Sequence, residues 1–428
     1  MILDERKIKI EKSRFNLVKT HKAVIVGLYQ TGLGIARSLA IAGIEVIGIE
    51  SNLKMPTVNT GYCRLEPCLD IDNSDILLDK LIEIAQDECE KPVLFMTGDK
   101  NVKIVSENRE ILSRYYHFTL PDKSAVVCLM DKIRFANFAE QKQLDVPRTI
   151  VVSHPDRIMQ HIDNIIFPCI VKPTYKDSLW GKKLSDKKAF LVNNKEEIAA
   201  LINNIGHWYR SGLVIQEWIP GDDSNVYFCL MYYGRNSNLR VSFTGRKLLQ
   251  WLPQAGNTCI AESYYSETIE EKSKNLFDSV KYKGIGSVEF KLNPRDGKFK
   301  ITEPTVGRSN LQSSIALQAG INIPLAYYCD LVGQLYENKA NNKKIIWLEE
   351  SHLFRYIYHF GIKDILRNKI LFKIVFFKKG FAYFCLKDIK PFLYLIWDYI
   401  QRMFIAIFLV GRNASFMDKK AYALGNRR

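Results

Sequence analysis

Long apolar runs are missing from this sequence. No stretch reaches about 18 uninterrupted apolar residues, the length that a membrane-spanning helix requires. The first 20 residues alternate charged with apolar side chains and lack the continuous apolar core of a signal peptide. Internal repeats and low-complexity tracts are also absent. These absences exclude a membrane-spanning or low-complexity protein and favour a globular one.

Paired cysteines and clustered histidines are missing as well. The nine cysteines stand singly, without a CxxC pair or a histidine at metal-site spacing, so we interpret them as reduced thiols of a cytoplasmic protein. Cys63 and Cys68, with four residues between them, come closest to a metal-binding or disulfide pair. The seven histidines lie outside the motifs that carry chemistry, which argues against histidine base catalysis.

Acidic residues are outnumbered by basic ones. The 61 Lys and Arg against 46 Asp and Glu give a net charge of +15, and residues 351–428 hold 15 basic but only four acidic residues. Nucleic acid is not the expected partner, because no recognised reading motif accompanies this charge. The 428 residues are 47% hydrophobic and 25% charged, which predicts several packed globular units.

Residues 22–50 predict one βαβ unit. KAVIVG is a short β-branched run, and a turn, a helix and a second strand follow it. Gly27, Gly32 and Gly34 favour a tight turn into the helix, but their spacing departs from G-x-G-x-x-G and no acidic residue is recognised for reading a ribose. A nicotinamide-dependent reductase is therefore the weaker alternative. VLFMTGDK (93–100) predicts a further strand, with the first domain closing near residue 120.

A different pattern begins near residue 124. Helical spacing from Ile133 to Leu144 stops at Pro147, and short strands separated by turns then predominate, with a helix from about 265 to 282. The strands are expected within 167–174, 213–233, 239–250, 284–293 and 298–304. The predicted fold class is therefore α/β followed by α+β.

Two lysines are candidates for binding phosphate. Lys132 opens the first helix of this region, and Lys172 ends an apolar strand. A lysine at the end of a buried strand is costly unless its ammonium meets an anion, such as a nucleotide phosphate. Taken singly, each is better explained as a surface lysine.

A strand that runs into a Pro-Gly turn is a candidate for binding a nucleoside. Its backbone offers groups that fit the edge of an adenine, at Gln216, Glu217, Trp218 and Ile219. Asp222 or Asp223 behind the turn would accept bonds from ribose hydroxyls, although the motif is also simply a good turn. Arg246 and Lys247 end a later strand, where they fit phosphate oxygens or solvent equally.

The sharpest signal is a pair of acidic strands. The turn at 293–297 predicts a hairpin, and Glu289 and Glu303 are equally distant from its centre near residue 296, so they are expected to face each other. Two adjacent carboxylates repel, and Mg²⁺ would remove that penalty while also bridging to nucleotide phosphates. A solvated acidic hairpin is the alternative.

In this order, the motifs resemble the ATP-grasp superfamily from about residue 23 to about residue 330. EWIPGDDSN, TGRKLLQ and EPTVGRSN are similar to its carboxylate–amine ligase branch, which includes D-aspartate ligases and enzymes of cell-envelope polysaccharide clusters. The resemblance implies a Rossmann-like domain (1–120), an ATP-grasp domain with ATP between two lobes (121–345), and a helical, basic, aromatic-rich extension (346–428).

The resemblance also implies roles for individual residues. It makes Lys132 and Lys172 phosphate-binding lysines and residues 216–219 the adenine-facing hinge. It makes Asp223 the ribose ligand, with Asp222 as the alternative. It makes Glu289, Glu303 and Thr305 the magnesium ligands. Arg308 would stabilise the acyl phosphate and the tetrahedral intermediate, with Lys247 and Arg246 neutralising the transferred phosphoryl group.

The implied reaction uses MgATP to phosphorylate a small carboxylate and passes the acyl group to an amine, in cell-envelope or polysaccharide metabolism. Three departures keep a non-catalytic nucleotide-binding scaffold as an alternative. Thr305 replaces a common asparagine, Arg308 falls one position later than usual, and the loop after Lys172 holds one glycine. Oligomeric state is not indicated.

Residues 370–411 combine aromatic and basic residues. Asp398 and Arg402 form an i,i+4 pair on one face of a predicted helix, and Leu393, Ile396 and Ile400 lie on another. Such a helix could lie peripherally on the anionic inner face of a membrane, although packing against the enzyme body is favoured. Deletion of residues 350–428 is expected to release a membrane-bound protein from liposomes.

Overall fold

A computed structural model describes residues 21–174, 189–205, 209, 211–254, 256–336, 343–367 and 370–410. Most of the loop that follows Lys172, and the final residue of the 370–411 segment, lie outside the described residues.

The first unit is a four-stranded parallel sheet with strand order β3-β2-β1-β4. Its strands are β1 (Ala23–Val26), β2 (Val46–Glu50), β3 (Arg64–Pro67) and β4 (Val93–Met96), and its helices are α1 (Gln30–Ile41), α2 (Ser74–Gln86), α3 (Asp99–Glu107) and α4 (Arg109–Leu112). Every residue of β1, β2 and β4 is buried, as is usual for a parallel sheet. The predicted βαβ unit is confirmed, and Cys63 and Cys68, which flank β3, are free thiols.

Chain geometry explains the glycines after β1. Gly27 has a φ of +87°, and a Cβ atom there would lie 2.3 Å from the hydroxyl oxygen of Thr97. An acidic residue, Glu50, does end β2, which corrects the expectation that none is present. Its carboxylate is fully buried and accepts hydrogen bonds from the backbone N–H groups of Leu28 at 2.8 Å and Asn52 at 2.9 Å. It is therefore used to hold the turn, which further weakens the reductase alternative.

The second unit is a small antiparallel sheet with strand order β5-β8-β6-β7. Its strands are β5 (Thr149–Val152), β6 (Cys169–Pro173), β7 (Phe190–Val192) and β8 (Leu213–Glu217); helices α5 (Lys123–Met130) and α6 (Lys132–Gln141) precede it, and α7 (Lys195–Ile205) lies between β7 and β8. Ile158, Val171, Ile198 and Leu213 belong to an apolar cluster of its own. This unit forms one wall of the candidate site.

A seven-stranded sheet with strand order β13-β12-β9-β10-β11-β14-β15 forms the other wall. Its strands are β9 (Val226–Tyr233), β10 (Leu239–Trp251), β11 (Asn257–Ser263), β12 (Gly284–Leu292), β13 (Phe299–Val306), β14 (Ile345–Leu348) and β15 (Lys378–Phe381), and the helices in this part of the chain are α8 (Glu267–Asp278), α9 (Ser313–Ala319) and α10 (Ile323–Leu331). All neighbouring pairs are antiparallel except β14 and β15. The predicted helix within 265–282 and the predicted β12–β13 hairpin are confirmed.

The C-terminal segment is integrated with the rest of the protein. It contributes β15 and the helices α11 (Glu350–Phe360), α12 (Lys363–Arg367), α13 (Ile370–Phe376) and α14 (Lys390–Val410). The buried Arg37 side chain on α1 donates from Nε to Asp388 at 2.9 Å and also to the carbonyls of Ala382 and Tyr383. None of the helices in the described part of the chain is both long and apolar enough to cross a membrane.

Candidate active site

The hinge strand β8 and the β12–β13 hairpin meet at a cavity of about 370 Å³, here called the main cavity. Among the predicted site residues that line it are Gln216, Glu217, Trp218, Ile219, Lys247, Glu289, Glu303, Thr305 and Arg308. These residues come from four separate stretches of sequence. The folded chain therefore brings together most of the constellation expected from the sequence.

The two glutamates of the hairpin stand side by side. Glu289 on β12 pairs directly with Glu303 on β13, and the register then shifts so that Phe290 pairs with Ile301. Burial, and next the negative charge of Glu289, raise the pKa of Glu303, while the positive charge of Lys132 opposes them. Burial and Glu289 thus disfavour the charged form of Glu303, and a cation bound beside the pair would stabilise that form.

Magnesium fits these donors. Mg²⁺ is usually held by one or two carboxylates, with nucleotide phosphates and water completing its shell. Glu289, Glu303 and the hydroxyl of Thr305 all line the main cavity, so they are the residues that would hold the ion. Within the described ranges, no group of three or more His, Cys, Asp or Glu side chains could form a metal centre.

Lys247 is buried against the glutamate pair. Its Nζ atom lies 2.6 Å from Oε2 of Glu289 and donates to Oε1 of Gln250 at 3.0 Å. Arg246 is not brought into the main cavity, contrary to the expectation that both cations face the phosphates. Successive residues of a strand point to opposite faces, and the Arg246 guanidinium instead donates to the Ser224 carbonyl at 2.5 Å.

The predicted phosphate-binding lysines line an adjoining cavity of about 280 Å³, together with Gln216 and Glu303. Lys132 begins α6, whose first turn is capped by the Asp131 side chain. Lys172 at the end of β6 donates to Oε1 of Gln216 at 3.0 Å. Burial, and next the positive charge of Lys132, lower the pKa of Lys172 to about 8. An anion between these two ammonium groups would relieve both effects.

Side-chain contacts fix the hinge. The carboxylate of Glu217 accepts from the Arg295 guanidinium at 2.6 Å and from the backbone N–H of Arg148 at 3.1 Å. The backbone N–H of Trp218 donates to the Pro168 carbonyl at 2.9 Å. The Glu217 carboxylate and the Trp218 N–H are therefore already bonded within the protein, and these contacts hold residues 216–219 along the wall of the main cavity.

Arg308 connects the hairpin to the first sheet. Its Nε atom donates to Oδ1 of Asp99 at 2.5 Å, and Asp99 is the first residue of α3, just beyond the carboxyl end of β4. Ligands of open parallel sheets bind beyond the carboxyl ends of the strands. Arg308 therefore stands where a substrate held by the first unit would approach the nucleotide.

Asp223 lies outside the main cavity. Its buried carboxylate accepts from the Gln250 backbone at 2.7 Å, the Gln250 side chain at 3.0 Å and the Gln254 backbone at 2.6 Å. With Asp222 and Arg246 it lines a separate groove. These three bonds hold the loop after β10, so the structure does not bring Asp223 to the place of a ribose ligand.

Sequence reasoning missed several residues of the main cavity. Lys291 lies on β12 two residues after Glu289, and strand alternation alone would have placed both on one face. Asn257, Thr258, Asn310 and Gln312 form a neutral polar end of the cavity. Nothing local in the sequence marks these four, because they come together only through the pairing of β11 and the turn into α9.

The sequence is similar to that of a known ligase. The chain is 25% identical over 312 residues to a D-aspartate ligase of Enterococcus faecium (strain Aus0004), covering 70% of this chain and 74% of that protein. No protein-family model matches the chain.

Solved structures share the fold. An N5-carboxyaminoimidazole synthetase from Staphylococcus aureus complexed with ADP aligns with a TM-score of 0.60 at 15% identity, over 81% of this chain and 87% of that one. The biotin carboxylase domain of a Hydrogenobacter thermophilus 2-oxoglutarate carboxylase, in complex with MgADP and bicarbonate, aligns with a TM-score of 0.57 at 12% identity, over 75% and 72%.

The fold is therefore the ATP-grasp fold. In sequence the chain is similar to a D-aspartate ligase, and it shares its fold with N5-carboxyaminoimidazole and phosphoribosylglycinamide synthetases. Two of these structures hold ADP, one of them with magnesium.

Proposed function

We propose that this ligase joins a small carboxylate to an amine through an acyl-phosphate intermediate. The observation that carries the proposal is the Glu289–Glu303 pair facing one cavity with the hinge, Lys247 and Arg308. The same residues are the proposed catalytic and nucleotide-binding residues, with Lys132 and Lys172 in the adjoining cavity. We also propose the domain limits 1–120, 121–345 and 346–428, although β14 and β15 show that the last segment completes the central sheet.

The first step transfers the γ-phosphoryl group of ATP to a carboxylate oxygen, giving an acyl phosphate and ADP. Such transfer depends mainly on positioning and charge neutralisation. Lys132, Lys172 and Lys247 would neutralise the phosphate oxygens, and Mg²⁺ bound at the glutamates would supply further positive charge.

The second step is attack of the amine on the acyl carbon. The carbon–nitrogen bond forms, the carbon–oxygen bond to phosphate breaks, and the amine releases a proton, so the products are an amide and inorganic phosphate. Negative charge develops on the carbonyl oxygen during attack, and Arg308 would stabilise it. Its ion pair with Asp99 holds the guanidinium in place through Nε, which is one of the five N–H donors of an arginine side chain.

The likeness to a D-aspartate ligase supports an amino acid or another small acid as the carboxylate. The resemblance of EWIPGDDSN, TGRKLLQ and EPTVGRSN to ligases of cell-envelope polysaccharide clusters supports a role in cell-envelope or polysaccharide metabolism, and the singly placed cysteines support a cytoplasmic location.

A second proposal concerns the C-terminal surface, defined here as the exposed apolar side chains between residues 357 and 400. More than half of the exposed large apolar side chains in the described part of the chain fall in this range. On α13, Phe372 and Phe376 are 58% and 69% exposed, and the exposed Lys378 and Lys379 follow them. Apolar side chains beside lysines match an anionic lipid surface, so we propose peripheral contact with the inner face of the membrane.

The ligase proposal is tested by ADP release. The purified full-length chain is incubated with MgATP and a panel of amino acids, uronic acids and amines, and ADP is measured with each carboxylate alone and with each pair. Release that needs both a carboxylate and an amine supports the proposal. Binding of MgATP without release for any pair would favour the scaffold alternative, and binding of NADH in place of MgATP would favour the reductase.

A further inference from the structure

Lys291 lines the main cavity, and its ammonium group has no hydrogen-bond partner in the described part of the chain. The side chain is 5% exposed. The ring of Trp218 lies 4.5 Å from Nζ, which offsets part of the cost of burying an ammonium group. Buried polar atoms are nearly always hydrogen-bonded in folded proteins, so this nitrogen is placed to meet a ligand.

The direction of β12 indicates which part of a nucleotide Lys291 would meet. Glu289 and Lys291 point to one face of the sheet and lie about 7 Å apart along the strand. The chain then turns through Arg295, which donates to the Glu217 carboxylate at 2.6 Å and to the Trp218 carbonyl at 3.2 Å. Lys291 therefore stands between the magnesium-binding end of the cavity and the hinge. In a nucleotide, the part between the phosphates and the base is the ribose.

Asp223, which the sequence predicted as the ribose ligand, is engaged elsewhere. All three bonds that Asp223 accepts go to Gln250 and Gln254, and it faces a different groove. An ammonium group has three donors and suits two neighbouring hydroxyl oxygens as acceptors.

We propose that Lys291 binds the ribose of the nucleotide by donating hydrogen bonds to its 2′ and 3′ hydroxyl oxygens. The inference rests on the proposed function, because it takes the hinge as the base end of the site and the two glutamates as the phosphate end. It assigns Lys291 as a residue that selects a ribonucleoside triphosphate over a deoxyribonucleoside triphosphate.

The test is a comparison of nucleotide affinities. Dissociation constants for ATP, 2′-deoxy-ATP and 3′-deoxy-ATP are measured with Mg²⁺ by calorimetry for the full-length wild type, Lys291→Met and Lys298→Met. Lys298 is an exposed lysine in the turn of the same hairpin, so its variant removes the same charge outside the cavity. We expect the wild type to bind ATP about tenfold more tightly than the deoxy analogues. Lys291→Met is expected to bind all three about equally and ATP about tenfold more weakly, whereas Lys298→Met behaves as the wild type.

Thermal melting separates ligand binding from a structural role. Removing an unpaired buried charge does not destabilise a fold, so nucleotide-free Lys291→Met is expected to melt at or above the wild-type temperature. The rise in melting temperature on adding ATP should be smaller than in the wild type. Lys291→Gln, which keeps a donor without the charge, gives an independent second variant with an intermediate affinity.

Two results with the variants overturn the inference. One is unchanged discrimination among the three nucleotides in both Lys291 variants. The other is a lower melting temperature of both variants without nucleotide, which would assign the lysine to the fold. Failure of the wild type to bind any nucleotide overturns the proposed function and this inference together. Substrate-dependent ADP release by a wild type that binds deoxy-ATP as well as ATP overturns the inference alone.

Discussion

The main cavity and the C-terminal surface depart from the usual distribution of residues in opposite directions. In the cavity, charged groups are buried: Lys247 and Lys291 are 4% and 5% exposed. On the C-terminal surface, large apolar groups face solvent, with Phe376 69% exposed. Charges normally remain in water and aromatic rings normally leave it. The buried lysines fit the proposed nucleotide, a polyanion with its metal ion. The exposed apolar side chains fit the proposed contact with an anionic membrane.

Removing a charge from the cavity gives the largest expected effect. Glu303→Gln should lower the rate of ADP release about a hundredfold or more, because one metal ligand is lost while the shape of the side chain is kept. Its melting temperature should not fall, since burial already disfavours the charged form of Glu303. Glu271→Gln, on the exposed face of α8, is the matched control. Equal ADP release by the two variants would contradict the metal assignment.

Charging the C-terminal surface tests the other half of the comparison. The double variant Phe372→Glu and Phe376→Glu should partition into phosphatidylglycerol vesicles at least about tenfold less than the wild type, because it loses apolar contact and gains repulsion. Leu69→Glu, which changes a residue that is 90% exposed on the first unit, controls for the substitution. Partitioning is measured by vesicle sedimentation. Equal partitioning of both variants and the wild type would refute membrane contact.

The point variants replace the deletion of residues 350–428 expected from the sequence. That deletion would remove β15 from the central sheet and the Asp388 carboxylate from buried Arg37. The truncated chain would lose core structure together with the C-terminal surface, so its release from liposomes would carry no information.

Raising the pH is expected to weaken ATP binding in the wild-type protein. The pKa of Lys172 is lowered to about 8, so its ammonium is charged below that pH and largely neutral one unit above it. We expect the dissociation constant for ATP to rise about five- to tenfold between pH 7 and pH 9. Lys172→Arg, which stays charged throughout, should flatten the profile. A wild-type affinity that stays constant over this range would contradict phosphate binding by Lys172.

The smallest expected effect on binding comes from a buried charge outside the cavity. Asp223→Asn should lower the free energy of unfolding by about 1–3 kcal/mol, because it disturbs the three hydrogen bonds that hold the loop after β10. The dissociation constant for ATP should stay within about twofold of the wild type, as measured by calorimetry. A tenfold loss of affinity without loss of stability would restore Asp223 as the ribose ligand.

Local patterns in the sequence predicted the hairpin well. The turn signal and equal spacing placed Glu289 opposite Glu303, and the pairing is confirmed even though an irregularity follows it. Alternation along a strand also separates Arg246 from Lys247 and places Lys291 on the same face as Glu289.

The remaining features depend on contacts between distant segments. The strand Lys378–Phe381 has no apolar alternation, and its partner β14 lies about thirty residues earlier in the chain. Asp223 looks available in the sequence because its neighbours Gln250 and Gln254 meet it only after β10 has formed. Such pairings are set by tertiary structure, which no short window of sequence reports.

The buried pair of Arg37 and Asp388 has a consequence for how the protein is made. The two residues are separated by 351 positions, and the arginine lies on α1, near the start of the described part of the chain. Until the last tenth of the chain is synthesised, that guanidinium has no carboxylate to meet, so the early βαβ unit must wait in an incomplete state. Emergence of residue 388 is therefore needed to complete this buried contact, and nascent chains halted before residue 388 should remain sensitive to protease.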